Sequence, residues 1–572
     1  MEDLERLVRG YALKNAVEHG GKAIVGSVVS MIMSDRPDLR PRAREIARLA
    51  ARIIGEINSM GLEEQKRILE DEYPELARPG RAGEKRAETK RLPPLPGAEK
   101  GRVVTRFAPN PDFAMHIGNA RPAILSHEYA REYRGKMILR FEDTDPRTKT
   151  PIKEAYDLIR EDLKWLGVKW DEEHVQSLRM EFFYEAAREA LEKGCAYIDL
   201  CGEAGRELLR EGKYCKTRDN SPEWQLGEFD KMLSGVYGEK EAVVRVKTDP
   251  NHPNPSIRDW VALRIIDTSK TPHPLVGDKY IVWPTYNFAV TVDDHLMGVT
   301  HVIRAKEHEV NTEKQLFLYK CLRWEPPRFI HIGRLKLEGF ILSKSFIRKI
   351  MDENPGKFWG FDDPRFGTIA GLRRRGITPE AIREVILHLG VKHTEATLSW
   401  ANLASINRKI LDARSDRIMF VESPRAFRVS MDKCREASIP VHPDRPETRK
   451  YRICPGDIVY LDSRDVEESP RVRLLGLDNF SVEKERSLLE MIGGGVEYAR
   501  KASIPIIQWV PASRAVDVKV LKPEGLELVE SRGVAEEAIR NYRIGDTLQF
   551  VRYGFIRIDK TGSDVTVIYT HD

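Results

Sequence analysis

The N-terminal part of the chain, residues 1–77, has the hydrophobic spacing of amphipathic helices. Its apolar positions recur at short steps at Ile46, Leu49, Ile53, Ile54 and Ile57, with charged residues between them. Because an α-helix has about 3.6 residues per turn, these side chains share one face. The pattern predicts a small helical module.

From residue 102 onward, short apolar runs alternate with helical stretches. Residues 103–107 and 136–141 have the pattern of strands, and the stretch between them predicts a helix that runs to about Tyr133. Strand, helix and strand at this spacing indicate a parallel sheet of the nucleotide-binding, Rossmann type. We assign its first half to residues 102–194 and its second half to residues 278–345.

The remaining segments complete a multidomain α/β chain. Residues 195–277 are predicted to be an insertion in the sheet, with strand-like pieces such as residues 242–247. Residues 346–416 have a helical pattern and form a connector. Residues 417–572 consist of short strands separated by turns, a pattern typical of one or two small β-barrels.

Residues 78–101 differ in composition from both neighbours. Between Arg78 and Arg102 there are eight basic and three acidic residues, with several Pro and Gly. This predicts an exposed hinge. It is either a solubilising linker or a basic arm that lies along nucleic-acid phosphates, and the composition leaves both open.

Composition narrows the class of protein. A chain of 572 residues suggests about four domains. Its 94 basic and 89 acidic residues give a net charge of only +5, which does not by itself indicate a polyanionic partner. Six scattered cysteines do not resemble a secreted disulfide framework. With no signal-peptide pattern and no apolar run of about 20 residues, we expect a cytoplasmic protein without membrane spans.

Two short segments, residues 106–121 (RFAPNPDFAMHIGNAR) and 340–345 (FILSKS), carry the chemistry. The first follows a predicted strand and opens a helix, where backbone amides and the helix dipole favour phosphate. Gly118 lets the backbone approach a nucleotide closely. The side chains of His116 and Asn119 can donate hydrogen bonds to an α-phosphate under attack.

Lys344, in the second segment, supplies a mobile cation for a leaving pyrophosphate. Chemistry of this kind requires positioning and charge, and no protein nucleophile. The two segments together predict a nucleotide site that is split between distant parts of the chain.

The motifs resemble those of the glutamyl-tRNA synthetases of the archaeal and eukaryotic type, a family of class I aminoacyl-tRNA synthetases. RFAPNP is similar to the first-strand signature, HIGN to the HIGH motif and LSKS to the KMSKS motif. The resemblance extends over nearly the whole chain. Its other segments are RFEDTDP, PTYNFAVTVDDHLMGVTHVIR and FDDPRFGTIAGLRRRGITPEAI.

The resemblance implies a two-step reaction. ATP with Mg²⁺ activates glutamate as glutamyl-adenylate, and the 3′-terminal adenosine of tRNA(Glu) then accepts the glutamyl group. It also implies that tRNA binds before activation. Whether tRNA(Gln) is charged as well stays open, as does a tRNA or protein partner for the N-terminal helices.

The same resemblance assigns the domains. Residues 102–194 and 278–345 would form the catalytic domain, residues 195–277 would grip the acceptor stem, and residues 417–572 would read the anticodon. In this last segment, basic and aromatic residues suit stacking on unpaired bases, namely Arg552, Tyr553, Phe555 and Arg557.

The family pattern also implies site residues. The glutamate side chain needs a desolvated, preferably bidentate cation, a role that falls to Arg106 and Arg304. Glu142 would take the α-ammonium group, and Asn110 and Tyr286 would complete the pocket. The residues implied for the ATP site are Ala108, Pro109, His116, Gly118, Asn119, Glu307, Ser343, Lys344 and Ser345.

Of these residues, His116, Asn119 and Lys344 are the implied catalytic groups. Asp294 is a candidate contact to a base pair near the acceptor end of tRNA, and the alternative is that it caps a helix.

Two features depart from the family pattern. Asn119 replaces the second histidine of HIGH but can still donate a hydrogen bond. Some relatives carry a zinc site in the insertion, and the matching residues here are Asp199, Cys201, Cys215 and Thr217. Two soft ligands among four do not suit a closed zinc site, so we expect no zinc. The remaining cysteines are expected to be ordinary buried thiols, namely Cys195, Cys321, Cys434 and Cys454.

Three alternative functions fit the sequence less well. A glutaminyl-tRNA synthetase would carry Pro-Glu-Pro where this chain has Pro109-Asn110-Pro111, and no Arg at position 304. An inactive, tRNA-binding paralogue is disfavoured because the motif residues are all present, namely His116, Gly118, Glu142 and Lys344. A small adenylyltransferase is disfavoured by the long C-terminal strand region.

Overall fold

The structure is a computed structural model that describes residues 2–18, 21–36, 39, 42–73, 76 and 92–572. It divides into two compact units, Met1–Arg91 and Leu92–Asp572. Most of the predicted hinge, residues 78–91, lies outside the described residues. No helix in the described ranges is long and apolar enough to cross a bilayer.

The first unit is helical, as the apolar spacing predicts. Its described helices are α1 (Glu2–Glu18), α2 (Val25–Asp35), α3 (Ala43–Ile57) and α4 (Leu62–Glu72). The predicted stripe of α3 is buried at Ile46, Ile53, Ile54 and Ile57, where it packs with Val8 and Ala12 of α1 and Ile32 of α2. Helices α1–α3 therefore share one core.

The second unit contains further helices and all the strands among the described residues. Its helices are α5 (Ile117–Glu132), α6 (Lys153–Trp165), α7 (Met180–Glu192), α8 (Gly202–Arg210), α9 (Pro222–Leu233), α10 (Tyr286–Leu296), α11 (Glu309–Leu322), α12 (Lys344–Glu353), α13 (Ile369–Arg374), α14 (Pro379–Leu389), α15 (Trp400–Asp412), α16 (Ser463–Glu468) and α17 (Gly495–Lys501).

The strands are β1 (Val104–Phe107), β2 (Lys136–Phe141), β3 (Glu172–Val175), β4 (Ala196–Asp199), β5 (Val243–Val246), β6 (Val261–Ile265), β7 (Val282–Pro284), β8 (His301–Ala305), β9 (Arg328–Ile332), β10 (Leu335–Leu337), β11 (Ala396–Leu398), β12 (Arg417–Ile418), β13 (Phe420–Val421), β14 (Pro424–Ser430), β15 (Arg435–Pro440), β16 (Thr448–Ile453), β17 (Ile458–Asp462), β18 (Arg471–Leu474), β19 (Asn479–Glu483), β20 (Leu488–Met491), β21 (Ile506–Ile507), β22 (Trp509–Pro511), β23 (Ala515–Glu524), β24 (Glu527–Glu536), β25 (Thr547–Phe550), β26 (Gly554–Lys560) and β27 (Val565–His571).

A five-stranded parallel sheet has the order β3-β2-β1-β8-β9, which confirms the predicted Rossmann-type architecture. From β1 the chain passes to β2, which lies on one side of β1. It reaches β8, which lies on the other side of β1, only after the insertion. Such a reversal opens a crevice at the carboxyl ends of the neighbouring strands, where α/β sheets bind ligands.

The insertion has its own antiparallel sheet in the order β4-β5-β6-β7. Strand β7 lies in the stretch that we assigned to the second half of the Rossmann domain, yet it pairs with β6 of the insertion. A short apolar strand can join the edge of either sheet, and the sequence does not specify which partner it takes.

The C-terminal region is rich in strands, as predicted, and contains two seven-stranded sheets and the hairpin β15–β16. The segment around residues 547–559 forms two strands with a turn at Arg552, whose φ is 64°. The side chain of Phe555 is fully buried. Phe555 therefore cannot stack on a tRNA base as proposed from sequence, because its strand turns it into the core.

The expectation that Cys195, Cys321, Cys434 and Cys454 are ordinary buried thiols is wrong. The structure pairs all six, and no cysteine is free. The bonds are Cys195–Cys321, Cys201–Cys215 and Cys434–Cys454. One of them joins residues 126 positions apart, a pairing that depends on the tertiary fold and that cysteine spacing does not reveal.

Replacing both Cys434 and Cys454 with serine is expected to lower the free energy of unfolding by about 3 kcal/mol. The bond closes a loop over a sequence separation of 20 and lies at the open end of the β15–β16 hairpin. Thermal denaturation of the variant and of the wild type, each with and without a thiol reductant, tests this. A reductant should lower the melting temperature of the wild type more than that of the variant, and an equal effect on both would contradict the role of this bond.

Candidate active site

A cavity of about 1050 Å³ lies at the carboxyl ends of β1, β2 and β8. It brings together every glutamate and ATP residue implied by the sequence except Ser345. Those that line it are Arg106, Ala108, Pro109, Asn110, His116, Gly118, Asn119, Glu142, Tyr286, Arg304, Glu307, Ser343 and Lys344. The two distant motifs therefore form one site.

The sheet explains why three of these residues converge. Arg106 is the penultimate residue of β1, Glu142 directly follows β2, and Arg304 is the penultimate residue of β8. The three strands are adjacent and parallel, so their carboxyl ends meet at the same edge.

Arg304 is buried, with an exposed fraction of 5 %, and no carboxylate lies within 4 Å of its nitrogens among the described residues. One terminal nitrogen donates to Thr312 Oγ1 at 2.5 Å and to Gln315 Oε1 at 2.9 Å, and the other lies 3.4 Å from the Tyr286 hydroxyl. Its Nε has no hydrogen-bond partner among the described residues. Burial lowers the pKa of this guanidinium, and the charge of Asp294 opposes that shift without direct contact. The fold therefore holds a desolvated cation that no described carboxylate touches.

Arg106 is the second buried cation, with an exposed fraction of 4 %. Its Nε lies 3.4 Å from Asp294 Oδ1, and one terminal nitrogen has no partner. The sequence-based assignment did not include Arg140, which is fully buried and donates to Asp294 at 2.7 Å and to Glu142 at 3.0 Å. The RFEDTDP motif could have pointed to Arg140, because this arginine stands two positions before Glu142, which lines the cavity.

These ion pairs set the charge on the two carboxylates. Burial acts against ionisation of Asp294, but Arg106 and Arg140 hold its pKa below the ordinary value. Burial raises the pKa of Glu142 even though Arg140 contacts it. A cationic group placed beside Glu142 would favour the ionised carboxylate, which suits an α-ammonium ligand.

The placement of Asp294 does not favour its assignment as a tRNA contact. Its side chain is 1 % exposed and forms part of the arginine cluster. The preceding Asp293 is also buried and accepts a hydrogen bond from Arg179 at 3.0 Å. In the sequence, two adjacent acidic residues in a helix indicate a solvent-exposed position. Their pairing with arginines is visible only in the tertiary structure.

His116 caps the N-terminus of α5. Its Nδ1 accepts a hydrogen bond from the Gly118 amide at 3.1 Å, while Asn119 Oδ1 accepts from the His116 amide at 3.2 Å. Burial and the charge of Lys344 lower the pKa of His116 to about 4. A neutral imidazole whose Nδ1 is an acceptor carries its proton on Nε2, which can therefore donate to a phosphate oxygen.

Gly118 is required by close packing at this helix start. A Cβ at this position would lie 2.8 Å from the His116 ring and 3.2 Å from the Leu335 carbonyl oxygen. Any larger residue would displace the imidazole.

Lys344 begins α12, which is capped by the Ser343 hydroxyl. Its Nζ lies 2.7 Å from Oδ1 of Asp112, a residue of the first motif that the sequence-based assignment omitted. Ser345 does not line the cavity, and its hydroxyl lies 3.2 Å from that of Ser343. Glu307 forms an ion pair with Arg334, which also lines the cavity.

The insertion brings together three of the four residues that match the zinc pattern. Asp199, Cys201 and Cys215 are close enough for their ligand atoms to share an ion. However, the two cysteines form a disulfide, and Asp199 accepts a hydrogen bond from Arg245 at 2.5 Å. Because disulfide sulfurs are not thiolates, this arrangement does not fit a zinc site, and the absence of zinc stays a prediction.

Comparison with known families agrees with this geometry. The model described as tRNA synthetases class I (E and Q), catalytic domain, matches residues 102–413. Two models described as the anti-codon binding domain of the same synthetases match residues 415–491 and 506–559. The chain belongs to the class I tRNA synthetases (E and Q).

Two relatives of this class I synthetase match it over nearly its whole length. A glutamate–tRNA ligase from Aeropyrum pernix is 62 % identical and covers 100 % of this chain and 99 % of its own length. One from Hyperthermus butylicus is 53 % identical and covers 98 % of this chain and 100 % of its own length. A solved structure of a glutamate–tRNA ligase from Elizabethkingia meningosepticum is 23 % identical, covers 55 % of this chain and 70 % of that chain, and has a TM-score of 0.40.

Proposed function

We propose that this class I synthetase is a glutamate–tRNA ligase, which attaches L-glutamate to tRNA(Glu) in an ATP-dependent reaction. One observation carries the choice of amino acid. Arg304 is a buried guanidinium without a carboxylate partner among the described residues, and it lines the cavity beside Arg106. A γ-carboxylate would supply the missing negative charge, and a guanidinium can bind it through two parallel hydrogen bonds.

Glutamine fits the same cavity poorly. Its amide is neutral and would leave Arg304 without a counter-ion in a desolvated site. The NH₂ group of the glutamine side chain would also point its hydrogens at the N–H hydrogens of Arg304. A site built to pair with a polar group rejects an analogue that leaves its own groups unpaired, which favours glutamate over glutamine.

In the first step, an oxygen of the glutamate α-carboxylate attacks the α-phosphorus of ATP. The bond from that phosphorus to the bridging oxygen of the β-phosphate breaks, and pyrophosphate leaves. Glu142 and Asn110 Oδ1, a buried acceptor without a partner, would hold the α-ammonium group. His116 Nε2 and the Asn119 amide would donate to α-phosphate oxygens, and Lys344 would neutralise the departing pyrophosphate.

Magnesium supplies further charge neutralisation when it is bound with ATP. It is bound mainly through substrate phosphates and water, so it needs few protein ligands. Glu307, which the resemblance places among the ATP-binding residues, is a carboxylate that lines the cavity.

In the second step, a terminal ribose hydroxyl of the tRNA attacks the carbonyl carbon of the adenylate and gives up its proton to a phosphate oxygen. The bond from that carbon to the phosphate oxygen breaks, and AMP leaves with the bonding electrons. The proposal includes the insertion as the acceptor-stem grip and the C-terminal sheets as the anticodon reader. It also includes a cytoplasmic location, where translation takes place. Charging of tRNA(Gln) is left to experiment.

The test is to charge purified tRNA(Glu) and tRNA(Gln) with labelled glutamate or labelled glutamine. We expect ATP-dependent glutamylation of tRNA(Glu) and no charging with glutamine. Label on tRNA(Gln) would show a non-discriminating enzyme. Charging with glutamine alone would contradict the proposal in favour of a glutaminyl enzyme, and no charging in any combination would favour an inactive paralogue.

A further inference from the structure

A second cavity lies outside the active site, between the insertion and α11. Its volume is about 350 Å³, and it is bounded by α8, β5, the loop that precedes β6, and α11. Five cationic side chains line it, namely Arg206, Arg210, Arg245, Arg258 and Lys314. No acidic residue of the described chain is part of its lining.

Two of these cations have counter-ions. Arg245 is buried and pairs with Asp199 at 2.5 Å. Arg210 forms an exposed pair with Glu207 at 2.8 Å, one helical turn away. Asp199 and Glu207 are the acidic residues that pair with cations of this cavity within 4 Å in the described part of the chain.

The other cations lack an acidic partner within 4 Å in the described ranges. Arg206 is exposed at the cavity wall, whereas Lys314 is partly buried, and burial lowers its pKa. The neighbouring Glu313 pairs with His252 at 3.0 Å and does not neutralise Lys314. The cavity therefore concentrates uncompensated positive charge at a partly desolvated place.

Arg258 is fixed in this wall by backbone oxygens. Its guanidinium donates to the carbonyl oxygens of Leu209 and Arg210, both at 3.0 Å, at the end of α8, and to that of His252 at 2.7 Å. These bonds restrict the side chain without cancelling its charge. A fixed guanidinium is suited to binding an oxyanion.

Trp260 forms a further part of the cavity wall. Its side chain is 5 % exposed, and its indole Nε1 has no hydrogen-bond partner among the described residues. An indole nitrogen can only donate, so it requires an acceptor. Buried polar groups in native proteins nearly always have partners, so this donor is one of the exceptions near the cavity.

We propose that this cavity is a phosphate-binding site, in which Arg206, Arg258 and Lys314 supply the positive charge. The proposal rests on the proposed function for its physiological ligand, a backbone phosphate of the bound tRNA. A free phosphate or pyrophosphate has the same chemistry, and the experiment separates the two sources.

The test uses full-length Lys314→Gln and Arg206→Gln variants. A matched control is Lys320→Gln, which removes an exposed lysine from the same helix, outside the cavity. The affinity for tRNA is measured between 50 and 300 mM KCl. Each cavity variant is expected to weaken binding about fivefold to tenfold at 0.1 M salt and to reduce the slope of log affinity against log salt by about 0.7–0.9. The control should match the wild type, and Lys314→Arg should recover most of the affinity.

Calorimetry with inorganic pyrophosphate forms the second arm. If the cavity binds free phosphate, the wild type should show one more pyrophosphate site than a variant that carries both Lys314→Gln and Arg206→Gln, while tRNA binding stays equal. Unchanged tRNA salt dependence together with unchanged pyrophosphate stoichiometry would overturn the proposal. A wild-type protein that fails to charge tRNA with glutamate would instead contradict the proposed function, and both arms could still be measured.

Discussion

Replacing Arg304 with glutamine is expected to lower kcat/KM for glutamate by about 10²- to 10³-fold, because a buried charge pair with the substrate is lost. Arg304 is 5 % exposed and has only neutral hydrogen-bond partners among the described residues. The substrate carboxylate would therefore be the anion that pairs with it. The KM for ATP should change little, because the guanidinium contacts the amino acid. Glutamate-dependent pyrophosphate exchange in the presence of tRNA measures both constants.

Two controls separate this role from a general loss of structure. Arg304→Lys keeps the charge but loses the planar fork, and should therefore fall between the wild type and the glutamine variant. Arg328→Gln removes an exposed arginine from β9, the strand that pairs with β8, and should behave as the wild type. An unaltered KM for glutamate in Arg304→Gln would refute the pocket assignment.

The convergence of the site could be predicted because it depends on short-range rules. Hydrophobic periodicity located β1, β2 and the helix between them, and the parallel order followed from their spacing. Once those strands are parallel neighbours, residues at their carboxyl ends must meet. Arg106 and Glu142 therefore lie in one cavity for a reason that the sequence contains.

The partners of buried charges could not be predicted in the same way. Asp294 and Arg140 are 154 positions apart, and Asp112 and Lys344 are 232 apart. No local pattern links such residues, because their contact exists only after the sheet and its loops have closed. The disulfide between Cys195 and Cys321 is a similar case.

The direction in which side chains of the C-terminal strands point could not be predicted either. Alternation along a strand shows that two faces differ, but a turn reverses the direction of the chain and resets which face points inward. The turn at Arg552 has this effect, so Phe555 packs in the core while Arg552 pairs with Asp465 at the surface. A prediction of anticodon contacts from residue type alone could not include this reversal.

The resting contact of Lys344 bears on how the site works. Its pair with Asp112 is partly exposed, with side-chain exposed fractions of 30 % and 21 %. Such a pair contributes about 1 kcal/mol at most, so a polyphosphate can readily displace the carboxylate. Asp112 therefore keeps the lysine beside the cavity in the absence of substrate, and the lysine can leave this carboxylate when ATP binds.

Replacing Lys344 with alanine is accordingly expected to slow adenylate formation by about 10²- to 10³-fold, the typical cost of removing one preorganised charge that acts on the transition state. Pyrophosphate exchange with tRNA present measures the rate. The affinity for tRNA should stay near that of the wild type. Lys349→Ala, an exposed lysine on the same helix α12 that lies 3.7 Å from Glu353, is the matched control. If Lys344→Ala retained the wild-type exchange rate, the lysine would have no part in neutralising pyrophosphate, and another cation of the cavity would have to do so. Arg334 would then be the next residue to test, because it lines the same cavity and pairs with Glu307 of the ATP site.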